Sequence, residues 1–137
     1  MRKHVLAVLA YVVATFGAQA VSHFGVNAAH YAAVTYLRAQ PIFVLGVLSM
    51  LIQGSIMSYL YAHLSESWQS TGHAVLFAWL VGGILVSYEA LAEAAKYSVP
   101  SVTSWIAVEV AAGFVQFTLF GALLGWVYRA RVRQAAR

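Results

Sequence analysis

The chain contains no cysteine, no aspartate and only two prolines among its 137 residues. The lack of cysteine excludes a disulfide framework, a thiolate metal site and a cysteine nucleophile. Charge is also scarce, because 9% of the residues are charged, compared with about 25% in a typical soluble domain. With 62% hydrophobic residues, the composition predicts one compact membrane domain over residues 1–137, without a second, soluble catalytic domain.

Four long apolar stretches fill most of the sequence. They cover residues 5–24, 41–63, 73–97 and 102–128. Each is long enough for a helix that crosses the core of a bilayer, which takes about 20 residues. Because the connections between them are short, neighbouring helices should run in opposite directions. The sequence therefore predicts an all-α polytopic membrane protein with four transmembrane helices in an antiparallel up-down bundle.

Two segments near the first helix allow alternative interpretations. The first apolar stretch follows two basic residues and ends in small residues, as cleavable signal peptides do, but we interpret it as the first transmembrane helix. Residues 27–40 are less apolar, and Asn27 is a suitable cap for a short interfacial helix there, with Tyr31 at headgroup depth. The alternative is that the first helix continues through this segment. Pro41 suits the first turn of the second helix.

Basic residues lie mainly near the two ends of the chain. Arg2 and Lys3 precede the first helix, whereas the predicted loops contain only Arg38 and Lys96. The C-terminal arginines are Arg129, Arg131, Arg133 and Arg137. The positive-inside rule therefore predicts that both termini are cytoplasmic, with a bacterial inner membrane as the expected location. Arginines just after a hydrophobic helix suit anionic lipid headgroups, so the net charge of +4 does not predict a nucleic-acid partner.

Three of the four acidic residues lie within the apolar stretches: Glu89, Glu93 and Glu109. A carboxylate in a lipid-crossing helix costs a few kcal/mol unless it finds water or a partner, so each one marks a candidate site. At about 1.5 Å per helical residue, all three fall in the outer half of the predicted bundle. His23 and His30 fall in the same half.

Every predicted helix also contributes a polar side chain. Glu89 and Glu93 are four residues apart and share one face of the third helix. The other helices contribute three glutamines: Gln19, Gln53 and Gln116. Because a helical backbone already satisfies its own hydrogen bonds, these side chains predict a shared polar cavity that binds a ligand or an ion. The alternative is that the glutamines only fix helix packing through interhelical hydrogen bonds.

Histidine adds a metal hypothesis to this set. His23 and His30, together with the carboxylates, would provide nitrogen and oxygen ligands for a divalent ion such as Zn, Mn or Fe. The sequence contains no Glu-x-x-His or His-Glu-x-x-His motif, so the ligands would have to come from three helices. The alternative is that both histidines lie in the interface or in a loop.

Small residues predict close helix packing. Gly121 and Gly125 form a GxxxG motif in the fourth helix, which predicts either a homo-oligomer through this face or packing within one bundle. Size and helix count resemble the small multidrug-resistance transporters, which are dimers of four-helix chains. That family carries its essential glutamate in the first helix, where this sequence has no acid, so none of its residues is transferred to this chain.

These observations support three hypotheses about function. The first is a small membrane protein that binds or transports a cation, a proton-linked solute or an amphipathic molecule near Glu89 and Glu109. The second is a non-catalytic accessory or assembly subunit of a larger membrane complex, in which the polar groups fix packing. The third is a metal-dependent intramembrane enzyme that acts on lipid. We rank it last, because no nucleophile–base motif is recognisable.

Overall fold

The computed structural model describes residues 1–38, 40–64 and 70–129, and all regular structure within these ranges is helical. Four helices are long and apolar enough to cross a membrane: Arg2–Val26, Phe43–Ala62, Thr71–Lys96 and Val102–Arg129. Their ends agree with the four predicted stretches to within three residues, so the all-α class and the four long apolar helices are confirmed. Residues 65–69 of the predicted middle loop lie outside the described residues, as do Arg131, Arg133 and Arg137.

Two of the four long helices contain a π-helical turn. In chain order, the elements of the described ranges are α1 (Arg2–Val21), a π turn (Ser22–Val26), α2 (Ala28–Ala32), α3 (Phe43–Ala62), α4 (Thr71–Ser87), a second π turn (Tyr88–Ala92), α5 (Glu93–Lys96) and α6 (Val102–Arg129). Ser70 caps α4, because its hydroxyl oxygen accepts a hydrogen bond from the backbone nitrogen of His73 at 3.2 Å. Pro41 lies two residues before α3 rather than in its first turn.

The second π turn lies beside two of the predicted acids. A π turn closes hydrogen bonds between residues five apart, so it contains about one residue more than an α-helical turn. Glu89 lies within this turn and Glu93 directly follows it. Glu89 is exposed, whereas Glu93 is half-buried. The two acids therefore differ in their burial.

The segment after α1 packs inward. The first long helix continues to Val26 and α2 follows directly, so each of the two alternatives is partly correct. Asn27 occupies the position before α2, but its side-chain amide donates to the hydroxyl of Ser22 at 2.9 Å instead of capping the helix. Tyr31 is buried with Val34 against Trp105 of α6. Tyr31 is therefore packed within the protein, because α2 folds over the start of α6, and its headgroup depth stays a prediction.

Glycines allow α6 to pack closely on α4 of the same chain. A Cβ atom added at Gly121 would lie 2.5 Å from the Cα atom of Val75, and one added at Gly125 would lie 2.7 Å from the Cα atom of Thr71. Both glycines are buried. The glycine face is thus filled by α4 of the same chain, which agrees with packing within one bundle. A homo-oligomer through Gly121 and Gly125 stays a prediction.

The buried core and the outer surface of the helices are both apolar. Tyr11 of α1 packs edge-to-face against Phe120 of α6, with ring centroids 5.0 Å apart, inside a cluster that also includes residues of α3 and α4. Outside this core, Val44 is 76% exposed and Ile84 is 71% exposed. Large exposed apolar surfaces are rare on soluble proteins and indicate contact with lipid or with another protein.

Candidate functional site

A polar cavity of about 220 Å³ is lined by side chains from all four long helices. We call it the amide cavity. Its polar lining consists of Tyr11, Thr15, Gln19, Ser49, Gln53, Glu89 and Gln116. Because α3 packs mainly on α1 and α4 mainly on α6, while α3 and α4 hardly touch each other, a space remains between α3 and α4. Four of the six predicted ligand-binding residues therefore converge on one cavity: Gln19, Gln53, Glu89 and Gln116.

Three glutamines form the hydrogen-bonded part of the amide cavity. The amide nitrogen of Gln19 donates to the side-chain oxygen of Gln116 at 2.9 Å. The hydroxyl of Tyr11 donates to the side-chain oxygen of Gln53, and the Gln53 nitrogen donates to Ser49 at 3.1 Å. A glutamine side chain offers two donor hydrogens and two acceptor lone pairs. These bonds therefore leave donors and acceptors that can bind a further molecule.

Two groups at the amide cavity have no side-chain partner within the described part of the chain. The hydroxyl oxygen of Thr15 is buried without a hydrogen bond. An unsatisfied buried polar group costs about 1–3 kcal/mol, which a polar occupant of the cavity would offset. Glu89 is exposed and lines the cavity, and its carboxylate makes no hydrogen bond among the described residues. The cavity thus contains a carboxylate whose oxygens remain available.

The backbone at Glu89 is held in place by α6. The indole nitrogen of Trp105 donates to the carbonyl oxygen of Glu89 at 3.0 Å. A π turn disturbs the regular pattern of α-helical hydrogen bonds and can leave a carbonyl without its usual partner. Trp105 thus connects this turn to α6 at the residue whose side chain lines the cavity.

Glu109 does not line the amide cavity. Its side chain is 6% exposed, and its Oε1 atom accepts a hydrogen bond from the hydroxyl of Tyr31 at 2.8 Å. The ring of His23 stacks on the ring of Tyr31, with centroids 3.6 Å apart and planes inclined by 11°. Burial raises the pKa of Tyr31 above its ordinary value, so the hydroxyl keeps its proton and remains a donor. The two acids predicted to share one site therefore have different surroundings.

Neither of the predicted metal ligands is part of the amide cavity lining. The Nδ1 atom of His23 lies 3.1 Å from the backbone oxygen of Gln19, and Nδ1 of His30 lies 3.2 Å from the hydroxyl of Ser104. Over residues 1–38, 40–64 and 70–129, no group of three or more His, Asp or Glu side chains is arranged to hold a metal ion. The metal prediction for His23 and His30 therefore lacks a ligand set.

Glu93 is half-buried and is not part of the amide cavity lining. The nearby ammonium group of Lys96 contacts Tyr88, with Nζ 3.4 Å from the hydroxyl and 5.1 Å from the ring centroid. Lys96 thus lies against an aromatic residue near the end of its helix. Of the three acids in apolar helices, only Glu89 lines the amide cavity.

Several lining residues were not among the predicted ones. Tyr11 and Thr15 precede Gln19 at intervals of four residues, and Ser49 precedes Gln53 by the same interval. This helical spacing is a signal from which they could have been predicted. Tyr31 gives no such signal, because its contact with Glu109 joins residues 78 positions apart.

Comparison of the chain with protein-family models, with curated proteins and with solved structures finds no match. The chemistry of the site must therefore be inferred from its own residues and their geometry.

Proposed function

We propose that this chain is an integral membrane protein whose amide cavity binds a small cationic solute. The membrane location is supported by four helices of sufficient length and by the apolar surface that they expose. A bacterial inner membrane with both termini in the cytoplasm agrees with the basic residues Arg2, Lys3 and Arg129 at one end of the helices.

Contacts between the helices support an antiparallel up-down bundle. The side chain of Gln19 bonds to Gln116, whereas Lys3 lies over the ring of Tyr128 at 5.9 Å. Residue numbers therefore decrease along α6 as they increase along α1. The contacts between α1 and α3 also show that these two helices run in opposite directions, and so do the contacts between α4 and α6.

The observation that carries the proposal is the convergence of Gln19, Gln53, Gln116 and Glu89 on one cavity inside apolar surroundings. Carboxylate, amide and hydroxyl oxygens are ligands suited to cations. Among the described residues, no lysine or arginine lines the cavity, so an anionic solute would meet the carboxylate without a compensating charge. A volume of about 220 Å³ is below the usual range for drug-sized ligands, so the solute should be small.

The proposal is tested by measuring how small cations change the melting temperature of the protein in detergent. The probes are ammonium, methylammonium and tetramethylammonium chloride at constant ionic strength. We expect at least one of them to raise the melting temperature of the parent and of Glu93→Gln, but not that of Glu89→Gln. Glu93→Gln is a matched control, since it removes an acid four residues away that does not line the cavity. An unresponsive parent, or a Glu89→Gln variant that responds like the parent, contradicts the proposal.

The exposure of α3 favours a second candidate function. Residues 43–49 are all exposed, which covers nearly two helical turns, and α3 packs mainly on α1. A helix in a bundle usually buries one face along its whole length. A partner helix on this part of α3 would make the chain an accessory subunit of a larger membrane complex. Purification from native membranes in mild detergent tests this, because a chain that runs as a clean homo-oligomer would argue against it.

A further inference from the structure

A second, larger cavity lies beside α2 and the segment that leads to α3. It has a volume of about 820 Å³ and is lined by aromatic and aliphatic side chains together with His23, Thr35 and Arg38. We call it the Arg38 cavity. Arg38 is the only lysine or arginine between Lys3 and Lys96, and it is exposed. The cavity therefore combines an apolar wall with one isolated, permanent positive charge.

An apolar groove continues from this cavity between α1 and α3. It has a volume of about 200 Å³, and its lining includes Phe16, Phe24, Phe43 and Val47. We call it the α1–α3 groove. It shares Phe24, Pro41 and His23 with the Arg38 cavity, so the two spaces are contiguous. The combined space has a charged end at Arg38 and an apolar end in the groove.

We propose that the Arg38 cavity and the α1–α3 groove together bind an anionic phospholipid, with the phosphate at Arg38 and an acyl chain in the groove. A guanidinium group presents several donors in a planar fork that matches phosphate oxygens. Basic side chains at the end of a membrane helix attract anionic headgroups. Apart from Gln19 and His23 the lining of the groove is apolar, and an acyl chain would cover its aromatic wall, which a water-soluble anion would not do.

This site rests on the proposed membrane location but not on the ligand of the amide cavity. Its chemistry is opposite in sign, since Arg38 selects an anion and Glu89 selects a cation. If no cation raises the melting temperature of the parent, the proposed function is overturned but the lipid site is unaffected. A protein that stays in solution without detergent would overturn the membrane location, and the lipid site with it.

The test compares phosphatidylglycerol with phosphatidylcholine of the same acyl chains, added to the purified protein in detergent. We expect phosphatidylglycerol to raise the melting temperature by about 3 °C more than phosphatidylcholine does. The difference should disappear in Arg38→Gln and persist in Arg2→Gln, which removes an exposed arginine at the opposite end of α1. Equal effects of the two lipids on the parent, or an unchanged difference in Arg38→Gln, would overturn the proposal.

A second arm tests whether the groove takes part. Val47→Trp fills the groove and should remove the response to phosphatidylglycerol, whereas Val115→Trp places the same ring on an exposed position of α6 and should keep it. Inorganic phosphate separates a lipid site from a plain anion site. If phosphate alone raises the melting temperature as much as phosphatidylglycerol does, or if Val47→Trp responds like the parent, the acyl-chain part of the proposal is wrong.

Discussion

The hydroxyl of Tyr31 donates a hydrogen bond to Oε1 of Glu109 across 2.8 Å and thereby connects the segment after α1 to the first third of α6. Both side chains are less than 10% exposed, at 7% and 6%. A buried acid that lacks a partner is expensive, so Tyr31 gives Glu109 a structural role that its position in an apolar helix did not reveal. Glu89, with an unbonded carboxylate, is therefore the better candidate for ligand binding.

Replacement of Tyr31 by phenylalanine keeps the ring that stacks on His23 but removes the hydrogen bond to Glu109. We expect a loss of about 1–3 kcal/mol in the free energy of unfolding, because the Glu109 carboxyl group stays buried without this donor. The melting temperature in detergent measures the effect. Tyr36→Phe serves as the control, since Tyr36 is 41% exposed and keeps its ring contact with Tyr97. Equal melting temperatures for the two variants would contradict the structural role of the bond.

The same hydroxyl predicts a dependence on alkaline pH. Burial raises the pKa of Tyr31 above its ordinary value of 10.0, so above pH 10 the unfolded chain loses this proton before the folded protein does. The stability that Tyr31 contributes is complete below that pH and decreases as the pH rises further. We expect the melting temperature of the parent to fall more steeply above pH 10 than that of Tyr31→Phe. If the melting temperatures of the two proteins fall in parallel as the pH rises, the ionisation of Tyr31 is not linked to folding.

Filling the amide cavity should abolish the cation response without unfolding the protein. A Cβ atom at Gly46 would have no atom within 4 Å, and Gly46 lines the cavity, so Gly46→Leu adds volume there without a clash at its first carbon. Gly17→Leu is the matched control, because Gly17 also has open space around it and is not part of the cavity lining. We expect both variants to fold, since leucine favours a helix more than glycine does. A Gly46→Leu variant that keeps the cation response would place the ligand elsewhere.

Gly121→Ala should destabilise the protein by separating α4 from α6. The added methyl group would lie 2.5 Å from backbone Cα of Val75, and backbone cannot move aside as a flexible side chain can. Overpacking of this kind costs typically about 1–3 kcal/mol. The melting temperature should fall, while Gly17→Ala should leave it unchanged or raise it slightly. If Gly121→Ala keeps its melting temperature and instead changes the oligomeric state, the GxxxG motif acts between chains after all.

The long helices could be predicted from the sequence, because an apolar run of about 20 residues that satisfies its own backbone has few alternatives to a spanning helix. The glutamines were predictable for a related reason. A polar side chain on such a helix avoids the apolar exterior, so Gln19, Gln53 and Gln116 were expected to point to a common interior. The cavity lining contains all three.

The division of the acids could not be predicted in the same way. Glu89 lies in a π turn, which the apolar pattern of the sequence does not reveal. The burial of Glu109 depends on Tyr31, whose segment packs on α6 through contacts that no local spacing encodes. Glu109 is therefore buried and bonded to Tyr31, while Glu89 lines the amide cavity.

Cation binding in the amide cavity is measured by equilibrium binding of a radiolabelled cation, chosen by the melting-temperature screen, to the purified protein in detergent. We expect saturable binding to the parent and to Glu93→Gln. In Glu89→Gln the affinity should fall about tenfold or more, while the melting temperature without cation stays close to that of the parent. Saturable binding of equal affinity to Glu89→Gln and to the parent would show that the carboxylate of the amide cavity plays no part in holding the cation.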